Sequence, residues 1–302
     1  MTVLPLLGRA AARLAQAGIA QPTREAARLL GLAWRRPWAE LYLETGPVSE
    51  LVQALFGEFL ARRARREPFE YIAGVCSFYG REFEVGAWVL VPRPETETLV
   101  DAALAFLRGR PGARALELCA GSGAVILSVA AESLDPAARF VATDLSAAAL
   151  ATAGENARRL KLAGRVSFFE GDLFAALPEG TAPFDLVIAN PPYIAAADIP
   201  GLDPEIRDWE PREALDGGPD GFAFYPRIAE GAKSFLAPGG MLLVESDGPL
   251  VARAVALFAR LGYASTASHP DLGGRPRAAS GVWPGNRASA PAGRDTMTSH
   301  HG

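Results

Sequence analysis

Residues 114–125 read RALELCAGSGAV. A short strand-like stretch runs into Cys119, Ala120, Gly121, Ser122 and Gly123, and an apolar helical pattern follows. Gly121 and Gly123 allow the backbone to turn tightly and to approach a ligand closely. The next strand-like stretch, RFVATD (139–144), ends in Asp144, 21 residues after Gly123. In a doubly wound sheet a carboxylate at that point lies beside the glycine loop, where it can accept both hydroxyl hydrogens of a ribose. RVSFFEG (165–171), FDLVIAN (184–190) and GMLLVES (240–246) continue the series, with helical patterns between them. Strands alternating with helices at this spacing predict an α/β fold, a parallel sheet covered on both faces. GYASTASHP (262–270) and RAASGVWP (277–284) would add an antiparallel hairpin, giving a mostly parallel, seven-stranded, doubly wound sheet.

Two ligands suit such a loop, a dinucleotide or a nucleoside-type methyl donor. The dinucleotide fingerprint needs a third glycine where Ile126 stands, and it seats phosphate on the helix N-terminus. Glu117, just before the loop, would repel a pyrophosphate but could pair with the cationic amino-acid end of S-adenosylmethionine. In EGDLF (170–174), Asp172 is placed to accept a hydrogen bond from an adenine amino group, and Leu173 could pack on the ring. The plainer role for Asp172 is a helix N-cap.

The fourth strand of the series runs into Asn190, Pro191, Pro192 and Tyr193. Prolines donate no backbone hydrogen bond, so this loop offers carbonyl oxygens and the Asn190 side-chain oxygen. Such a cluster of acceptors suits a planar NH2 group, either an amide or an exocyclic base amine, and Tyr193 could supply a flat wall beside it. An amide nitrogen is a weak nucleophile, so orientation against the donor would carry much of the catalysis, on the order of 7–11 kcal/mol.

Outward from this core, residues 1 to about 66 read as helical. Leu6, Leu7, Ala10, Leu14 and Ala17 recur at helical spacing, with Gly18 as a stop, and Pro22–Thr23 opens a second helix. In a third, Leu51, Leu55 and Phe59 share one face with Val52, Phe56 and Leu60 beside it. Its end, RRARRE (62–67), reads as a solvated basic run that complements the helix dipole. From Tyr71 to Pro92 the pattern alternates around Gly80 and Gly86, which predicts a β-hairpin.

The 302 residues are 49% apolar and 21% charged, a globular composition, and the net charge of −4 gives no general attraction to nucleic acid. Cys76 and Cys119 fit neither a zinc motif nor a disulfide framework. Two of the three histidines, His300 and His301, lie in the tail, so no metal site is expected. No apolar run is long enough to span a membrane, and MTVLPLLGRAAARLAQAG (1–18) has no secretory signal pattern. The default expectation is a soluble, monomeric protein in the reducing cytoplasm, with no stable binding to nucleic acid or membrane.

ELCAGSG, VATD, GDLF and NPPY, each after a strand, resemble the class I methyltransferases that modify planar NH2 groups. PFEYIAGVCSFYGREFEV, LVPRPETETLV, WEPREALDGGPDGFAFYPRI and DLGGRPRAASG narrow the resemblance to the release factor glutamine methyltransferases, the PrmC/HemK group. It runs from about Glu67 to Gly281. It implies methyl transfer from S-adenosylmethionine to the side-chain amide nitrogen of the glutamine in the Gly-Gly-Gln loop of peptide chain release factors. Cys119 to Gly123 would form the donor loop, Asp144 the ribose contact, and Asp172 with Leu173 the adenine contact. Asn190 would touch both donor and glutamine, while Pro191, Pro192 and Tyr193 shape the glutamine site. Arg93 and Glu97, in PRPETE, would support a segment that closes over the site. Residues 1–73 would form a helical substrate-docking domain, 74–95 a β-hairpin linker, 96–284 the methyltransferase domain, and 285–302 a disordered tail. Many relatives carry Gly-Thr where Cys119 and Ala120 stand, and a Cβ at Cys119 disfavours a positive φ. A ribosomal-protein glutamine methyltransferase and a base-amine methyltransferase of nucleic acids are the alternatives.

Overall fold

The computed structural model describes residues 1–285. The expected disordered tail falls almost wholly outside the described residues. The chain begins with helices α1 (Val3–Gln16), α2 (Pro22–Trp34) and α3 (Glu50–Ala64), and a short α4 (Phe69–Ala73). In α1 the buried stripe is Val3, Leu7, Ala10 and Leu14, a 3–4 residue repeat. Pro22 sits in the first turn of α2, where its missing N–H would be unbonded anyway. Ser49 caps α3, its Oγ accepting from the Val52 N–H. These helices bury a common apolar cluster that includes Leu14, Leu29, Leu30, Phe56 and Leu60. The inward face of α3 is therefore the Phe56–Leu60 stripe, and Leu51, expected on an apolar face, is 80% exposed.

The basic run at the end of α3 departs furthest from expectation. Arg63 is buried. Its Nε donates to Glu25 at 2.9 Å, and its guanidinium lies 2.9 Å from Glu205. Arg66 Nε donates to the other oxygen of Glu205 at 2.9 Å, and Arg62 Nε to Glu67 at 2.9 Å. Glu205 belongs to α8 (Pro204–Arg207), far along the chain. The run is a latch across the fold rather than a solvated end, because a carboxylate 139 residues away reaches it.

The hairpin is shorter than expected. β1 (Val75–Phe78) pairs antiparallel with β2 (Arg81–Glu84) through Tyr79 and Gly80, both at positive φ. Tyr71 lies in α4 instead, and residues after Glu84 leave strand geometry. Among the described residues Val85, Val89 and Val91 find no partner strand; they pack with Tyr71, Cys76 and Ala149.

Next come α5 (Glu97–Leu107), β3 (Arg114–Leu118), α6 (Ala124–Glu132), β4 (Arg139–Asp144), α7 (Ala147–Arg159), β5 (Val166–Glu170) and β6 (Phe184–Ala189). After α8 follow α9 (Phe224–Phe235), β7 (Leu236–Glu245), α10 (Pro249–Arg260), β8 (Ala264–Pro270) and β9 (Pro276–Trp283). The sheet order is β5-β4-β3-β6-β7-β9-β8. Pairing is parallel from β5 to β7, and β9 runs antiparallel to both β7 and β8. The seven-stranded, mostly parallel α/β sheet expected from the sequence is therefore present. Alternate residues feed opposite faces: Ala115, Leu186, Ile188 and Leu243 enter one core, and Leu116, Val187, Leu242 and Val244 the other. Among the described residues no helix is long and apolar enough to cross a membrane.

Arg63→Met removes the buried guanidinium shared by Glu25 and Glu205, leaving them only Arg28 and Arg66, and should destabilise the protein by about 1–3 kcal/mol. Arg66→Met, at a more exposed bridge, should cost about 1 kcal/mol or less. Denaturant midpoints of the two variants check the contrast, and equal midpoints would remove Arg63 from its structural role.

Candidate active site

Strand order reverses between β3 and β6, so the crevice at their carboxyl ends is the expected binding position. Register makes this concrete. Leu118 pairs with Ala189 on one side and with Thr143 on the other. The loop after β3 therefore lies between Asn190 and Asp144. β5 pairs Glu170 with Asp144 and brings Asp172 to the same rim.

A cavity of about 560 Å³ opens there, within the usual range for small-molecule sites. Glu117, Cys119, Ala120, Gly121 and Ser122 form one wall, Asp144, Asp172 and Leu173 another, and Asn190, Pro192 and Arg93 also face it. Gly123, Pro191, Tyr193 and Glu97 do not line it.

The loop geometry explains its residues. Cys119, Gly121 and Gly123 have φ of +57, +55 and +75°. A left-handed non-glycine residue costs on the order of 1–2 kcal/mol, and Cys119 carries that strain. Ala120 N–H is bonded to Thr143 O at 3.1 Å and Gly123 N–H to Ala120 O at 2.8 Å, which fixes the turn. Gly123 caps α6 from behind, where a Cβ would come within 3.1 Å of Ala153 Cβ. Burial pushes the Cys119 thiol up, and Asp144, Glu117 and Asp172 add to the effect, so the thiol is not a nucleophile at neutral pH.

Asp144 Oδ2 accepts from Gly121 N–H at 2.8 Å and Oδ1 from Ser146 N–H at 2.9 Å. The carboxylate is thus oriented by backbone. Glu117 is buried and its Oε2 accepts from Ile126 N–H at 3.0 Å, in the first turn of α6. Burial raises its pKa well above the usual carboxylate value; the Ile126 N–H opposes this, and Asp144 adds to it. Asp172 stands at the N-cap position of a 3-10 turn, makes no side-chain cap bond there, and pairs with Arg227 at 2.5 Å.

The Asn190–Tyr193 loop differs from expectation in one respect. Tyr193, expected as a wall for the substrate, turns away from the cavity. Its hydroxyl donates to Glu245 Oε1 at 3.3 Å, and its ring packs against the core cluster that contains Tyr225 and Val244. The two prolines set the chain direction, and β7, the neighbour of β6, receives the ring at its end. A second segment covers the loop. Ile194 N–H donates to Leu215 O at 3.0 Å, Gly217 N–H to Ile194 O at 2.8 Å, and Ala196 N–H to Gly218 O at 2.9 Å. A Cβ on Gly217 would lie 2.8 Å from Pro192 O, so only glycine allows this approach.

Arg93 reaches both oxygens of buried Glu210, at 2.6 and 2.7 Å, and so holds the segment whose Pro211, Glu213 and Ala214 complete the cavity. Burial raises the Glu210 carboxyl while Arg93 pulls it back. Glu97 instead accepts from Tyr79 N–H at 2.7 Å and anchors the hairpin turn. The sequence reading missed Trp88, Val89, Leu90, Thr96 and Phe224 on the cavity wall. For Trp88 to Leu90 the available signal was an apolar run without a partner strand.

Glu245 is also buried, and its Oε2 and the Thr96 hydroxyl both lack a hydrogen-bond partner. Burial lifts its carboxyl from 4.5 to about 7, against the pull of Arg277 and the Tyr193 hydroxyl. A raised folded-state pKa means that the native state holds the proton more tightly than the unfolded chain. The stability from this group is therefore complete below pH 4.5 and lost as pH rises through about 7. Glu245→Gln should gain stability relative to the parent across that window and level off above it. Denaturant midpoints at stepped pH check this; a difference independent of pH would show that Glu245 takes up no proton.

Residues 5–74 match the PrmC N-terminal domain, and residues 110–263 a methyltransferase domain. The release factor glutamine methyltransferase of Cereibacter sphaeroides is 45% identical over 286 residues, covering 94% of this chain and 99% of that protein. That of Moorella thermoacetica is 42% identical over 284 residues, covering 92% and 97%. Among solved structures, the 16S rRNA N2 G1207 methyltransferase of T. thermophilus, in complex with AdoMet and guanosine, superposes with a TM-score of 0.50 at 19% identity. It covers 69% of this chain and 49% of that one, a likeness of fold alone. Similarity at this level over nearly the whole of both chains places the protein in the release factor glutamine methyltransferase family.

Proposed function

We propose that the protein methylates the side-chain amide nitrogen of the glutamine in the Gly-Gly-Gln loop of peptide chain release factors, with S-adenosylmethionine as donor, in the cytoplasm and as a monomer. The observation that carries this reading is the β3–β6 register, which sets Asn190 and Pro192 on the same cavity as the glycine loop and Asp144. Residues 1–73 would dock the release factor, 74–95 link, and 96–284 perform the chemistry.

The residues present fit the donor. Glu117 is a buried carboxylate with no cation among the groups that shift it, and a positively charged amino-acid end would stabilise its ionised form. Asp144, held by two backbone N–H groups, keeps lone pairs for ribose hydroxyls. Asp172 would accept from the adenine amine beside Leu173, sharing its carboxylate with Arg227. The bound donor supplies a methyl group on a cationic sulfur. Asn190 Oδ1, which faces the cavity, would orient the glutamine NH2 so that its nitrogen faces that methyl, with the carbonyl of Pro191 as a second acceptor beside the cavity. Taking the methyl would leave the nitrogen with a proton to lose to solvent. The acceptors stabilise the charge that develops on nitrogen. Tyr193 would hold the loop from behind through Glu245.

Incubation with methyl-labelled donor and purified release factor, followed by peptide mass spectrometry, should place one methyl on the Gly-Gly-Gln glutamine. A methyl found only on a ribosomal protein or on a nucleic acid would redirect the assignment. Asn190→Ala should lower kcat roughly 100- to 1000-fold, as for loss of one preorganised polar partner, with donor affinity little changed. Asp144→Ala should instead weaken donor binding by about 1.5–3 kcal/mol, read by calorimetry.

A further inference from the structure

The segment after β2 places Trp88 on the cavity wall. The indole is 51% exposed, yet it is held from two sides. Its Nε1–H donates to Thr152 Oγ1 at 2.6 Å, and Thr152 in turn donates to Ala148 O at 3.2 Å. Its six-membered ring lies on Gly86, where a Cβ would come within 2.8 Å of Cζ2. Gly86 does not adopt a positive φ, so glycine supplies room for the ring rather than a turn. Among the described residues no other aromatic ring stacks on Trp88 and no guanidinium lies over it.

Location narrows the occupant. Thr152 is on α7, and the start of that helix brings Leu145, Ser146 and Ala149 to the same cavity directly after Asp144. Trp88 therefore borders the end assigned to ribose and base. A rotamer locked by a hydrogen bond and a close backbone loses little freedom when a ligand arrives. A large exposed aromatic surface gains when a flat base covers it.

We propose that Trp88 is a donor-binding residue, a preorganised aromatic cover over the nucleoside end of the methyl donor. This rests on the donor assignment made above. Base–aromatic contacts of this kind are commonly worth about tenfold or more in affinity.

The test uses the full chain with S-adenosylmethionine and S-adenosylhomocysteine, followed by calorimetry and tryptophan fluorescence. Failure of the parent protein to bind either ligand would count against the donor assignment itself, and with it this role. Given parent binding, saturation should change the emission, and Trp88→Phe should lose most of that change while binding within about threefold of the parent. Trp88→Ala should bind both ligands about tenfold more weakly with an unchanged melting temperature. Thr152→Val, which keeps the shape but removes the acceptor of the indole N–H, should fall between. Parent-like affinity in Trp88→Ala would overturn the proposal. So would a defect confined to KM for the release factor, which would move Trp88 to the protein-substrate side.

Discussion

Parallel pairing of β3 with β6 is the constraint on which the rest of the site depends. Because Leu118 stands opposite Ala189, the residues that follow each strand emerge side by side, one into a glycine turn and the other into a double proline. A slip of one residue would exchange the faces of every side chain on β6, putting Val187 and Ala189 into the core now filled by Ile188. Apolar packing on both faces of the sheet thus holds the register, and the register brings donor loop and acceptor loop together. The chemistry of the cleft is positioned by hydrophobic burial several residues below it.

Around that cleft the protein keeps three carboxylates away from water: Glu117, Glu210 and Glu245. Each has a different compensation. Glu210 has the Arg93 guanidinium, Glu117 has one helix N–H, and Glu245 has a phenol. The graded compensation separates a structural role from one open to a ligand. Glu210 is nearly satisfied and ties two cavity segments. Glu117 is left short of a counter-charge in the position where a cationic ligand would provide one.

Much of this was legible in the sequence because it depends on local pattern. Strand period and loop composition located every strand of the sheet, and the 21-residue spacing placed Asp144 against the glycine loop. What escaped depends on partners remote in the chain. RRARRE looks solvated until Glu205 is known to face it. Tyr193 looks like a substrate wall until β7 offers Glu245 and a core to receive the ring. The stretch from Val85 to Val91 alternates like a strand, but a strand needs a neighbour, and none is supplied there. Leu51 has the composition of a core residue, yet at the first turn of α3 it stays exposed while Leu55 and Phe59, further along the same face, pack against the helical core. Cys119 shows the converse: the sequence raised the strain of a positive φ, and the structure accepts that strain because flanking backbone bonds hold the turn.

The Arg63–Glu205 latch also bears on how the chain folds as it is made. Glu25 is 38 residues before Arg63 and is available as soon as α3 emerges. Glu205 lies 139 residues beyond Arg66. At about 5–20 residues per second of synthesis, that carboxylate follows roughly 7–28 s later. The N-terminal helices can therefore close their own core around Arg63 while half of its charge partnership is missing. The bridges from Arg63 and Arg66 to Glu205 can close only once α8 has been made, so until then both guanidinium groups lack that carboxylate.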